Sequence, residues 1–224
     1  MSTATHVRLH TSLLAASEKR LLIWIAERLP RWIHSDHLST LGLASMAGAG
    51  AAFWLTGSDP LVGAGLVVLC LALNWFGDSL DGTVARVRDQ QRPRYGYYVD
   101  HVIDLAGTAM LFTGLAASGH MNPTVAALVV AAFFLVSAEA YLATHARGVF
   151  KMAFLGVGPT ELRLLLVAGA FALITFPVVK PFGLFEMRLF DLGGILGAVG
   201  MVATFVVTSV VNTRALYLEE TRRS

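Results

Sequence analysis

Six long apolar runs dominate this chain and constrain its fold more than any other feature. A helix that crosses a membrane needs about 20 mostly apolar residues. Short polar connections separate the runs, and no strand-like alternation of apolar and polar residues competes with them. The runs are Leu38–Gly57, Pro60–Arg88, Gly96–Ser118, Pro123–His145, Pro159–Val179 and Leu189–Val211. The pattern predicts an all-α polytopic membrane protein with six transmembrane helices.

The composition excludes several classes of protein. Hydrophobic residues make up 55% of the 224 residues and charged residues only 14%, whereas soluble domains carry about 25% charged residues. A water-soluble enzyme, a disordered chain and a nucleic-acid binder with a basic patch are therefore excluded, and we expect no nucleic-acid partner. The single cysteine, Cys70, lies in an apolar run, which excludes a disulfide framework and a cysteine-based zinc site.

The segment before the first run has an amphipathic helical pattern. Apolar residues recur at three- and four-residue spacing between Glu18 and Ile33, and Lys19, Arg20, Glu27, Arg28 and Arg31 take the other face. Two interpretations are equally favoured, namely a helix on the membrane surface and a helix packed on its own bundle. We therefore divide the chain into an amphipathic juxtamembrane segment, residues 1–36, and a six-helix transmembrane catalytic domain, residues 37–224.

The basic residues predict the orientation in the membrane. The N-terminal segment, the loop between the second and third runs, the loop between the fourth and fifth runs and the C-terminal tail all lie on one side of the membrane. They hold 15 of the 17 Lys and Arg residues, and only Lys180 and Arg188 lie on the other side. By the positive-inside rule, both termini are predicted to be cytoplasmic. We expect an integral protein of a bacterial or archaeal inner membrane.

Two pairs of aspartates lie near the cytoplasmic ends of the second and third runs. Asp78 and Asp81 are three residues apart, Asp100 and Asp104 are four apart, and each pair shares a helical face. A short loop joins the two helices, so we expect antiparallel neighbours whose acidic faces meet. Carboxylates inside a membrane are costly and usually functional. An all-oxygen ligand set suits Mg²⁺, Mn²⁺ or Ca²⁺ better than zinc or copper.

The residues around these aspartates form a recognisable motif. The segment from Asp78 to Arg86 reads D-x2-D-G-x2-A-R, and Gly96 to Asp104 reads G-x3-D-x3-D. This motif resembles the signature of the CDP-alcohol phosphotransferase family, also called CDP-alcohol phosphatidyltransferases. Nine residues separate Arg86 from Gly96 where eight are commoner, which we interpret as a loop insertion that leaves the helices intact.

The resemblance implies roles for the motif residues. It assigns Asp78, Asp81 and Asp100 to two divalent ions, Mg²⁺ or Mn²⁺, and places Asp104 near a metal as the general base. It also implies that the motif's remaining residues bind the nucleotide, as the cofactor-binding part of the site. These residues are Gly82, Ala85, Arg86 and Gly96. The small residues would let the nucleotide approach the backbone, and the guanidinium would pair with phosphate oxygens.

The resemblance also implies an enzyme of phospholipid synthesis. We expect transfer of a phosphatidyl group from CDP-diacylglycerol to a small polar alcohol, with release of CMP. The reverse polarity, in which a CDP-linked head group is donated to a lipid hydroxyl, shares the motif. Besides this CDP-alcohol and its alcohol or lipid acceptor, the expected partners are membrane lipids and a second copy of the chain in a homodimer.

Two other classes remain as alternatives. A UbiA-type prenyltransferase also binds a pyrophosphate through Mg²⁺ and aspartate-rich motifs, but its motifs lie far apart in sequence. A divalent-cation transporter would also use acids within its spans, although this acidic cluster lies at one end of two helices and no inverted repeat is present.

Polar residues outside the motif carry less information. Asn74 lies four residues before Asp78 on the same face, and an interhelical hydrogen bond is favoured over a contact with cytosine or metal-bound water. A further polar group lies between residues 139 and 163, where a solvated positive-inside loop is favoured over an acceptor site. Its members are Glu139, Thr144, His145, Arg147, Lys151, Glu161 and Arg163.

Overall fold

The computed structural model describes residues 15–148 and 159–221, which fold almost entirely as α-helices. Their bounds are α1 Ala15–Arg28, α2 Ser35–Leu55, α3 Pro60–Val87, α4 Pro93–Ala117, α5 Pro123–Arg147, α6 Pro159–Thr175 and α7 Leu189–Thr221. Lys151, one of the polar residues noted above, lies outside the described residues. The predicted all-α membrane fold is confirmed.

Proline and short polar side chains set where several helices begin. Proline is the first residue of α3, α4, α5 and α6, where its missing N–H costs no hydrogen bond. Before α3, the Asp59 carboxylate accepts a hydrogen bond from the Val62 amide at 3.1 Å. Before α5, the Asn122 side chain accepts from the Thr124 amide at 2.8 Å. These caps satisfy amides that would otherwise have no intrahelical partner.

In the described part of the chain, five helices are long and apolar enough to cross a membrane: α2, α3, α4, α5 and α7. The helix α6 has 17 residues, about 26 Å at 1.5 Å per residue, against a hydrocarbon core about 30 Å thick. The sixth span therefore stays a prediction. The helix α7 runs ten residues past the predicted end at Val211.

A small hairpin between α6 and α7 was not predicted. The strand β1, Val178–Val179, pairs antiparallel with β2, Met187–Arg188, around a single 3₁₀ turn. Two-residue strands leave no periodic pattern that a sequence analysis can detect.

The helix α2 lies at the centre of the first half of the bundle, packed against both α3 and α4. Glycines allow this close approach. A Cβ atom on Gly77 of α3 would lie 2.5 Å from the Leu38 carbonyl oxygen of α2, and one on Gly50 would lie 2.5 Å from the Met110 carbonyl oxygen of α4. Small residues permit such contacts between membrane helices.

The helices α3 and α4 make little direct contact, although they are consecutive in the chain. The sequence analysis expected them to be neighbours through their short loop. The structure instead brings them together through α2, and the Arg88–Arg92 connection leaves both helices intact. The helix α6 packs on α3, and α5 packs on α4 and α7.

The helix α1 packs on the bundle through one face. Leu22 and Ala26 are buried in a cluster with Leu38, Leu80 and Val84 of α2 and α3. Trp24 and Trp32 remain exposed, a pattern that suits a membrane surface, so the interfacial position stays a prediction. The helix α2 begins at Ser35, which places the predicted boundary between residues 36 and 37 within its first turn.

Arg88, at the end of α3, fixes the connection between α1 and α2. Its guanidinium donates to the carbonyl oxygens of Ile33 at 2.5 Å, Leu29 at 2.9 Å and Pro30 at 3.2 Å. The planar guanidinium thus supplies hydrogen-bond donors to three backbone carbonyl oxygens in the segment that follows α1.

Gly114→Ala is expected to destabilise the protein. The added Cβ would overlap the Gly50 carbonyl oxygen, and overpacking of this kind costs about 1–3 kcal/mol. The thermal midpoint of the detergent-solubilised protein should fall. Gly65→Ala is the matched control, because a Cβ there has nothing within 4 Å. Equal midpoints for the two variants would contradict the close approach of α2 and α4.

Candidate metal centre

Three aspartates from two helices come together at one place. Asp78 of α3 and Asp100 and Asp104 of α4 each offer a carboxylate oxygen, and these oxygens lie within 4.8 Å of one another. All three residues are partly buried. Oxygen-only ligands at this spacing fit a hard divalent cation such as Mg²⁺ or Mn²⁺. We call Asp78, Asp100 and Asp104 the aspartate group.

Asp81 lies outside this group and has other contacts. One of its carboxylate oxygens accepts a hydrogen bond from the Ser39 hydroxyl of α2 at 2.7 Å, and the other accepts from the Gly82 amide at 2.5 Å. The hydroxyl of Ser39 thus holds the orientation of Asp81 from the neighbouring helix. Its role as a metal ligand stays a prediction.

Arg163 of α6 reaches the aspartate group from a third helix. Its Nη2 donates to the Asp78 Oδ2 at 2.5 Å, and its Nε donates to the Asn74 Oδ1 at 2.8 Å. The Asn74 amide in turn donates to the Gly42 carbonyl oxygen of α2 at 3.0 Å. The favoured interpretation of Asn74, an interhelical hydrogen bond, is therefore confirmed.

Three of the residues assigned to the nucleotide lie in the last turns of α3, and the fourth, Gly96, lies in the first turn of α4. The Arg86 Nη2 donates to the Thr83 hydroxyl at 3.0 Å, and a Cβ on Gly82 would lie 3.3 Å from the Arg86 Nη1. Ala85 is half-buried. Gly96, near the start of α4, is exposed and has open space around it. Their nucleotide-binding roles stay predictions.

An aromatic stack beside the aspartate group was missed by the sequence analysis. The His101 ring is buried, with its centroid 4.1 Å from that of Tyr97 and 4.7 Å from that of Tyr141. Its Nδ1 lies 3.7 Å from the Asp100 Oδ2. His101 lies between two motif aspartates in the sequence, and this position could have indicated that it belongs to the site. Nothing in the sequence indicates that Tyr141 of α5 packs against it.

Part of the polar group between residues 139 and 163 lies between α5 and α7. The Asn212 amide donates to the Glu139 Oε1 at 2.6 Å, and the Arg147 Nη1 donates to the Asn212 Oδ1 at 2.5 Å. These side chains join two helices, whereas Arg163 belongs to the aspartate group's surroundings.

Two solved structures share this fold. The Mycobacterium tuberculosis phosphatidylinositol phosphate synthase (PgsA1) with CDP-DAG bound matches with a TM-score of 0.63 and 21% identity, over 86% of this chain and 94% of that chain. The apo form of the same enzyme matches with a TM-score of 0.56 and 20% identity, over 89% and 94%.

Sequence comparisons give the family. No curated protein sequence matches significantly. The family model described as CDP-alcohol phosphatidyltransferase matches residues 35–210. That match includes every residue of the aspartate motif and most of the chain, and the protein therefore belongs to the CDP-alcohol phosphatidyltransferase family, a family of membrane transferases.

Proposed function

We propose that this enzyme transfers a phosphatidyl group from CDP-diacylglycerol to a small polar alcohol and releases CMP. The observation that carries the proposal is the aspartate group, which α3 and α4 bring together in a chain that has the family's complete motif. The solved relative with CDP-DAG bound supports this choice of donor.

The reaction exchanges one P–O bond for another. The acceptor hydroxyl oxygen bonds to the phosphorus of the phosphatidyl group, the bond from that phosphorus to the CMP oxygen breaks, and CMP leaves. Divalent ions held by Asp78, Asp81 and Asp100 would stabilise the charge on the attacking and leaving oxygens. Asp104 is proposed to accept the hydroxyl proton, a role that its place beside Asp78 and Asp100 supports.

The cytidine diphosphate end is proposed to lie along the cytoplasmic ends of α3 and α4. Gly82, Ala85 and Gly96 present little side-chain bulk there, and Arg86 supplies a planar cation for phosphate oxygens. We propose that both termini and the aspartate group face the cytoplasm of a bacterial or archaeal cell, which the distribution of Lys and Arg supports.

A homodimer is part of the proposal. Gly193, Gly197 and Gly200 of α7 have open space around them, and Leu196 and Val199 are exposed. By contrast, Gly107 and Gly114 of α4 pack inward on α2. The small-residue surface of α7 therefore supports a helix–helix contact better than α4 does.

Native mass spectrometry from a mild detergent tests the dimer. We expect twice the monomer mass for the wild-type protein, and dissociation when Gly197 is changed to Leu, because the larger side chain separates the paired helices. A monomer mass with activity retained would contradict the dimer.

The activity itself is tested with purified protein in lipid vesicles that contain CDP-diacylglycerol and Mg²⁺ or Mn²⁺. We expect CMP release that depends on one alcohol of a panel, and a new phospholipid identified by mass spectrometry. Release of CMP only from a CDP-linked head group with a lipid acceptor would reverse the proposed polarity. No CMP from any CDP-alcohol, together with Mn²⁺ uptake by the vesicles, would contradict the enzyme.

Asparagine variants separate metal binding from proton transfer. Asp78→Asn, Asp81→Asn and Asp100→Asn should lower Mn²⁺ affinity and turnover together, because each removes a ligand charge. Asp104→Asn should keep most of the Mn²⁺ affinity and lose about 10²–10⁴-fold in turnover at any metal concentration. Calorimetry and CMP release give the two readouts.

Asp89→Asn is the matched control for these variants. Asp89 is exposed in the connection between α3 and α4 and has a φ of 53°, a backbone conformation that asparagine also adopts readily. Both readouts should match the wild type. Full recovery of the Asp104→Asn variant by added metal would contradict the base assignment.

A further inference from the structure

A chain of hydrogen bonds connects three helices to one carboxylate of the aspartate group. It runs from the Gly42 carbonyl oxygen of α2 to the Asn74 side chain of α3, then to the Arg163 guanidinium of α6, and ends at the Asp78 Oδ2. The distances are 3.0, 2.8 and 2.5 Å. Asn74 and Asp78 are four residues apart on α3, so a single planar guanidinium spans both.

Burial makes this chain a strong restraint. Asn74 is 5% exposed, and the side chains of Arg163 and Asp78 are 15% and 28% exposed. The donation of the Asn74 amide to the α2 backbone fixes which atom, Oδ1, faces Arg163. Hydrogen bonds between charged groups in partly dry surroundings are shorter and stronger than neutral ones. Arg163 therefore restrains the orientation of the Asp78 carboxylate from the side of α6.

We propose that Arg163 is a positioning residue that, with Asn74, holds the Asp78 carboxylate in the orientation required for divalent-cation binding. The inference rests on the proposed function only in taking the aspartate group as a cation site. Groups that hydrogen-bond to metal ligands typically change metal affinity about 10–100-fold when they are altered. A simple ion pair that ties α6 to α3 would affect stability without this effect on affinity.

The test is Mn²⁺ binding by the full-length protein in detergent, without substrate, measured by calorimetry. Arg163→Lys keeps the positive charge but loses the fork that reaches both Asn74 and Asp78. We expect its Mn²⁺ dissociation constant to rise about 10–100-fold. Arg163→Gln is avoided because it would also remove a charge from beside the carboxylates and so mix two effects.

Coupling between the two partners gives a second readout. Asn74→Ala should raise the dissociation constant in the same way, and the double variant should bind no more weakly than the weaker single variant, because both changes break one chain. Additive losses would overturn the shared positioning role. If Arg163→Lys does not fold, Asn74→Ala tests the same chain from its other end.

Arg147→Lys is the matched control. Arg147 is also a partly buried arginine that joins two helices, through Asn212 of α7, but it lies outside the aspartate group. Its Mn²⁺ dissociation constant should equal that of the wild type. A wild-type dissociation constant in a folded Arg163→Lys variant would overturn the positioning role and leave the cation site standing. Failure of the wild-type protein to bind Mn²⁺ would overturn the cation site, and this inference with it.

Discussion

The close approach of α2 to both α3 and α4 is the constraint on which the site depends. Gly77 lets the α2 backbone lie against α3 one residue before Asp78, and Gly50 and Gly114 do the same between α2 and α4. Because α2 holds the other two helices, α3 and α4 have little direct contact. The aspartates of α3 and α4 can then face the same space, because the backbones of these two helices do not pack together and fill it.

Partners from neighbouring helices offset the cost of placing carboxylates within membrane helices. Here Arg163 of α6 pairs with Asp78, and Ser39 of α2 donates to Asp81. The aspartate group still concentrates negative charge from two helices, and this favours a bound cation. The acidic site thus follows from one arrangement of helices.

Much of the fold and the centre of the site could be predicted from sequence. The apolar runs, three of which begin at Pro60, Pro123 and Pro159, predicted most helix starts to within a few residues. The four-residue spacing of Asp100 and Asp104 predicted that these two share a helical face. The same reasoning paired Asp78 with Asp81, which the structure places outside the aspartate group. The contacts of Arg163 and Ser39 could not be predicted in the same way. Each depends on how helices distant in sequence pack together, which neither periodicity nor local propensity encodes. The packing of α2 between α3 and α4 could not be predicted for the same reason. Glycine in a membrane span indicates close packing but does not identify the helix that packs there.

Anomalous diffraction from crystals soaked with Mn²⁺ tests the central claim most directly, because it locates the ion without relying on activity. The account predicts a peak about 2 Å from carboxylate oxygens of Asp78 of α3 and Asp100 of α4, with the Asp104 carboxylate beside it. Mn²⁺ peaks elsewhere in the protein, with none among these three carboxylates, would contradict it.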